Sequence, residues 1–153
     1  MYRRILLASD YSTEGLMALR EGALMAQTLG AEVRLLIVEP APMSSWSGEE
    51  VRRVDPDQTG ALLERGLTRL RALGVKASGQ IVVGEPAALI GAEARAFEPD
   101  LVVVGHRRKS VLERWWSGSS GAYLADHIAC SVLIARNDVS DAAFEAAIGG
   151  RTG

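Results

Sequence analysis

The chain has 153 residues, 48% of them apolar and 24% charged, with a net charge of −2 and one cysteine. That length suits one domain with a core of its own. The balanced charge excludes a general polyanion or membrane-surface binder, so neither nucleic acid nor membrane is expected as a partner, and the lone Cys130 excludes an intramolecular disulfide. No run approaches the roughly 20 apolar residues of a membrane span. Met1-Tyr2-Arg3-Arg4 leads only into Ile5–Ala8, too short for a secretory core. A cytoplasmic location in a reducing compartment is the expectation, with Cys130 an inert thiol beside an apolar run.

Arg3 to Ser9 holds Ile-Leu-Leu-Ala and reads as a central strand, with Asp10 at its carboxyl end. Ser12-Thr13-Glu14 supplies helix-start residues, and Leu16, Leu19, Ala23 and Ala26 recur at helical spacing up to Leu29, where Gly30 closes the helix. Val33 to Val38 is the second strand. The connection from Glu39 to Pro56 carries Pro40, Pro42 and Pro56 and several serines, a length typical of a functional or mobile loop. Asp55-Pro56-Asp57 marks the next helix start, Leu63, Leu67, Leu70 and Leu73 form its stripe, and Gly74 ends it.

Val75 to Val83 is the third strand. Gly84-Glu85-Pro86 starts a helix with Ile90, Ala94 and Phe97 on its inner face, and Leu101 to Val104 is the fourth strand. A helix over Gly121–Ile128 and a fifth strand over Ser131–Ala135 follow. The tail from 137 to 153 has an Ala-rich patch from Ser140 to Ile148 that suits a short helix, then a frayed Gly-Gly-Arg-Thr-Gly end. Strands alternating with helices predict a parallel α/β sheet covered on both faces, with ligands at the carboxyl ends of the strands where their order reverses.

The most informative stretch runs from Leu101 to Ser120. Gly105 ends the strand, Arg107, Arg108 and Lys109 follow, and Gly118-Ser119-Ser120 opens a helix. A glycine lets backbone approach a ligand closely, and a helix N-terminus offers unpaired N–H groups to an anion. A phosphate cradle fits this pattern; so does a tight turn with a serine cap and solvated cations.

These residues resemble the universal stress protein family, over nearly the whole of positions 2 to 136. The resemblance is carried by Ile5-Leu6-Leu7-Ala8-Ser9-Asp10-Tyr11-Ser12, Gly84-Glu85-Pro86, Asp100-Leu101-Val102-Val103-Val104-Gly105 and Ser131-Val132-Leu133-Ile134. Nucleotide-binding members carry Gly, two residues, Gly, nine residues, then Gly and Ser or Thr. Gly105 fits the first position, Gly118 and Ser119 the last pair, and Arg108 stands at the middle glycine. The family implies a five-stranded parallel sheet of order 3-2-1-4-5, of the adenine-nucleotide alpha-hydrolase kind, over residues 1–136. It implies that Asp10 and Ala8 approach an adenine and that Val38 offers it backbone groups. Gly105, His106, Arg107, Arg108, Lys109 and Ser110 would wrap ribose and phosphates, and Gly118, Ser119 and Ser120 would hold phosphates. The implied ligand is ATP, ADP or AMP, with magnesium on the phosphate oxygens and no protein metal site. Dimerisation along Ser131–Ala135 is implied too, and it would cover an otherwise exposed apolar edge.

Duller readings stand beside these. Asp10 could cap the helix at Thr13, Val38 is core either way, and His106 and His127 show no metal spacing. Trp115-Trp116 suits loop packing, or a cover for a bound base. An Arg at 108 costs on the order of 1–2 kcal/mol if forced left-handed, against about 1.5–3 kcal/mol for a charge-assisted phosphate contact. Three functions remain: a regulatory adenine-nucleotide module, a dimeric interaction protein that binds no nucleotide, and a slow ATPase. No nucleophile pair or metal carboxylate accompanies the cradle, so an enzyme is the least expected.

Overall fold

Five apolar runs pair in parallel into one sheet, in the order β3-β2-β1-β4-β5. The structure is a computed structural model that describes residues 1–39, 41, 55–105 and 119–150. The strands are β1 (Arg4–Asp10), β2 (Glu32–Glu39), β3 (Ala77–Val83), β4 (Leu101–Gly105) and β5 (Ser131–Ala135). The helices are α1 (Thr13–Ala18), α2 (Arg20–Leu29), α3 (Pro56–Ala72), α4 (Pro86–Phe97), α5 (Ser119–His127) and α6 (Asp141–Gly149). The α/β class and the 3-2-1-4-5 order are those the sequence resemblance implies.

Strand alternation sorts the core into two layers. Ile5, Leu7, Val33, Leu35, Leu101 and Val103 face α2, α3 and α6. Leu6, Ala8, Leu36, Val38, Val102 and Val104 face α4 and α5. The central strands are apolar on both faces because helices cover both, and each fully buried Leu or Ile contributes roughly 1.5–3 kcal/mol.

Local signals set most boundaries. Asp55 caps α3 by accepting from Asp57 N at 3.0 Å, with Pro56 in the first turn. Glu85 caps α4 with both carboxylate oxygens, on Ala87 N at 3.1 Å and Ala88 N at 2.7 Å. Gly30 and Gly74 take φ of 65° and 76° at the ends of α2 and α3, the left-handed values that favour glycine.

Several expected boundaries shift, β2 and β4 by one residue at their ends. The helix over Thr13–Leu29 is two helices, because Leu19 N bonds Leu16 O at 3.1 Å and tightens one turn. The first strand runs on through Asp10, the third begins at Ala77, two residues later than its apolar run, and α5 begins at Ser119 rather than Gly121. The Ala-rich tail does form a helix: Ser140 caps α6, and Phe144 seats it on the first layer with 4% exposure. The frayed end expected at Arg151–Gly153 lies outside the described residues.

One polar group is buried in the second layer. Glu93 of α4 accepts from Arg34 Nη1 of β2 at 2.7 Å and also from Gln80 Nε2 of β3. Arg34 Nε donates to Ser78 Oγ at 2.8 Å, and its guanidinium lies 4.9 Å from the Phe97 ring centre. The network ties α4 to the β2–β3 side of the sheet.

Candidate functional site

The strand register assembles the site. Asp10 of β1 pairs with Val38 of β2, and Ala8 pairs with Leu36 on one side and Val104 on the other. Gly105 follows Val104 directly. The carboxyl ends of β1, β2 and β4 therefore place Ala8, Asp10, Val38 and Gly105 in one neighbourhood, at the point where the strand order departs from β1 in both directions. Ala8 and Val38 are buried on the face that α4 and α5 cover. The crossover from β4 to β5 brings the N-terminus of α5, at Ser119 and Ser120, to this same end of the sheet. First-turn N–H groups have no partner within their own helix, so this end is suited to an anion. Residues 106–118, including His106, Arg107, Arg108, Lys109, Ser110 and Gly118, lie outside the described residues, as do Trp115 and Trp116.

Asp10 is held by a local relay. Its side chain is buried, with 5% exposure. Oδ1 accepts from Ser12 N at 3.0 Å and from Ser12 Oγ. Ser12 Oγ in turn accepts from Gly15 N at 2.9 Å and so caps α1. A helix cap was the duller of the two roles open to Asp10; the cap is Ser12, and Asp10 orients it. Ser12 is one of the helix-start residues that the sequence offered, and Gly15 is the position it left without a role. Their signal is the spacing Asp-x-Ser-x-x-Gly, which places a cap, its anchor and a side-chain-free turn together. A Cβ at Gly15 would come within 2.1 Å of Asp10 Oδ1, so glycine there makes room for the carboxylate.

Asp10 Oδ2 has no hydrogen-bond partner among the described residues. A buried carboxylate oxygen without a donor is costly, and an ionised carboxylate only accepts. A ligand satisfying Oδ2 must therefore bring an N–H or O–H group. Ser9, also buried, donates from Oγ to Asp10 O at 3.0 Å and fixes the strand end beneath it.

Gly105 meets a packing demand that its sequence setting does not announce. A Cβ built there would lie 2.5 Å from Ala18 Cβ, on the α1 side of the sheet. Close packing of β4 against α1 requires its bare backbone. Among the described residues no cluster of three or more His, Cys, Asp or Glu side chains could hold a metal ion, and no helix is long and apolar enough to cross a membrane.

A doubly wound parallel sheet with its polar residues at the switch point defines a Rossmann-like α/β fold. The family model of the universal stress protein family matches residues 1–136, and the chain belongs to that family. Universal stress protein Sll1388 of Synechocystis is 26% identical over 152 residues, covering 89% of this chain and 99% of its own. A universal stress protein solved in complex with cAMP superposes with a TM-score of 0.63 at 23% identity, covering 88% of this chain and 97% of its own. A family protein from Arabidopsis thaliana with AMP bound has a TM-score of 0.59 at 25% identity, covering 91% and 97%. The α6 helix lies beyond the residues that the family model matches.

Proposed function

We propose that this protein binds an adenine nucleotide at the carboxyl ends of β1, β2 and β4 and acts as a regulatory module in the stress response. The observation that carries the reading is buried Asp10, whose Oδ2 has no donor among the described residues, beside Val38 and at the same end of the sheet as the N-terminus of α5. Adenine and ribose both carry N–H or O–H donors, and the α5 N-terminus suits the phosphates. The described residues fit such a group, and relatives solved with cAMP and AMP share the fold. Arg107, Arg108 and Lys109 supply charge for a diphosphate or triphosphate, and magnesium would sit on phosphate oxygens rather than on protein carboxylates. No catalytic base is assigned, so the nucleotide acts as a signal rather than as a substrate.

The protein is further proposed to work in the cytoplasm as a homodimer through β5. That strand is a sheet edge whose Val132, Leu133 and Ile134 are only half-buried. Pairing with a second copy would complete the ladder and cover them. A dimer that binds no nucleotide is the alternative.

Precipitating the purified protein with acid and reading the supernatant tests the first proposal. An adenine absorbance band stoichiometric with protein is expected. A clean supernatant, together with no heat on adding ATP, ADP or AMP with magnesium at millimolar concentration, would leave the nucleotide-free dimer.

A further inference from the structure

On the opposite face of the sheet, α1, α2, α3 and α6 enclose a cavity of about 470 Å³. It is separate from the site above: its floor is Leu7 and Leu35, which point away from Ala8 and Val38. Its volume falls within the range of small-ligand pockets, roughly 300–1,000 Å³. Leu16, Leu62, Leu70 and Phe144 wall it with hydrocarbon. An apolar body lying against these walls would gain from removing hydrocarbon surface from water.

The rim carries an uneven charge. Arg20, Arg65 and Arg69 line it, and so do Asp141 and Glu145. Arg20 Nη2 pairs with Asp141 Oδ1 at 2.5 Å, and Arg69 Nη1 pairs with Glu145 Oε1 at 2.5 Å. The same two guanidinium groups lie 5.3 and 5.0 Å from the Phe144 ring centre, so α6 is clamped over the cavity by both of its acids and its aromatic. Arg65, exposed and one turn before Arg69 on α3, has no carboxylate partner among the described residues. Three cations against two paired acids leave one positive charge at the mouth of an apolar chamber.

We propose that this cavity is a second ligand site, for a small amphipathic monocarboxylate whose apolar body lies among Leu16, Leu35, Leu62, Leu70 and Phe144 and whose carboxylate meets Arg65. A neutral apolar molecule would leave the surplus charge unused, and an ammonium amphiphile would be repelled by it. Because Phe144 forms one wall, an occupied cavity also holds α6 in place, which links ligand to the C-terminal segment.

Calorimetric titration of the full chain with decanoate, and in parallel with decylammonium, tests the site. Decanoate is expected to bind one to one with a dissociation constant of about 1 mM or tighter, the size its atom count allows. Decylammonium is expected to bind at least about tenfold more weakly, and Arg65→Glu to weaken decanoate by about tenfold. Arg65→Lys should keep affinity within about threefold. Arg65 is exposed, so these variants fold. No decanoate binding at 5 mM ligand, on the order of the weakest affinity the site allows, would overturn the proposal. So would equal binding of the two amphiphiles, no effect of Arg65→Glu, or displacement of decanoate by AMP.

Discussion

Replacing Gly105 with alanine asks what that glycine is for. The added Cβ would stand 2.5 Å from Ala18 Cβ and 3.5 Å from Ala18 Cα and C. A methyl–methyl approach needs nearer to 3.5–4.0 Å, so the two groups overlap by an ångström or more. Neither is the free end of a long side chain, and Ala18 ends a helix whose start is fixed by the Asp10–Ser12 relay. The strain must move backbone. Overpacking of this kind costs about 1–3 kcal/mol, which lowers the melting midpoint of a chain this size by about 2–4 °C per kcal/mol. Ala18→Gly alone should cost about 0.5–1 kcal/mol, through backbone entropy in the helix. The double variant exchanges the two methyl positions and removes the overlap. It should therefore be more stable than the sum of the single effects by about 1 kcal/mol or more, the size of coupling that contacting residues show. Urea unfolding of the four proteins, without nucleotide, gives the cycle. Additive effects, or a Gly105→Ala variant as stable as wild type, would refute a packing role and return Gly105 to the ligand.

Other predictions rest on other sites. Asp100 accepts from Arg3 N at 2.7 Å and Arg4 N at 2.9 Å, and these backbone bonds, Arg3 first, hold its carboxyl below the ordinary value of 3.8. A lowered carboxyl stabilises the fold above that value and loses its contribution as pH falls through the lower, folded one. Asp100→Asn should thus be less stable than wild type at pH 7, with the gap closing below about pH 4; a gap unchanged down to pH 2 would contradict this. Burial, and secondarily the Asp100 charge, pushes the Cys130 thiol up, so alkylation by iodoacetamide at pH 7.5 should be slower in the folded protein than in urea, and equal rates would count against it. Light scattering at micromolar concentration should give the mass of a dimer, and Leu133→Asp should reduce it to a monomer; a monomeric wild type would remove the β5 interface. Phosphate release from ATP should stay well below about 1 per second, the low end of ordinary turnover, and release at that rate, abolished by Gly118→Val, would make the protein an enzyme.

The sheet order came from the family resemblance, whereas the starts of α1, α3, α4 and α6 were legible because their signals are local. Asp55-Pro56, Glu85-Pro86 and Ser140 each cap the helix that follows within one or two residues. Asp10 and Val38 were legible as neighbours at one end of the sheet because strand ends are visible in the apolar runs, and the parallel register brings them opposite each other. What escaped depends on partners far along the chain. Nothing near Gly105 announces Ala18, so its packing requirement was not legible beside the ligand contact. Glu93 and Arg34 are 59 positions apart, and neither looks unusual in its own element. The Ala-rich tail reads as a short helix, but its clamp needs Arg20 and Arg69, which lie on separate helices. Local pattern fixes an element and its ends; tertiary contact decides which of its residues touch.

The most direct test of nucleotide binding is a calorimetric titration of ATP with magnesium into the wild type, Arg108→Gly and Gly118→Val. A left-handed Arg108 would be strained and its guanidinium would meet phosphate, opposed effects each of order 1–3 kcal/mol, so Arg108→Gly should stay within about tenfold of wild-type affinity. Gly118→Val puts a branched side chain at the position to which the family motif assigns phosphate contact and should abolish binding. Binding by wild type and Arg108→Gly, and none by Gly118→Val, is the predicted pattern. Silence from wild type at millimolar ATP, with binding restored by Arg108→Gly, would contradict it and make Arg108 a blocking residue in a nucleotide-free protein.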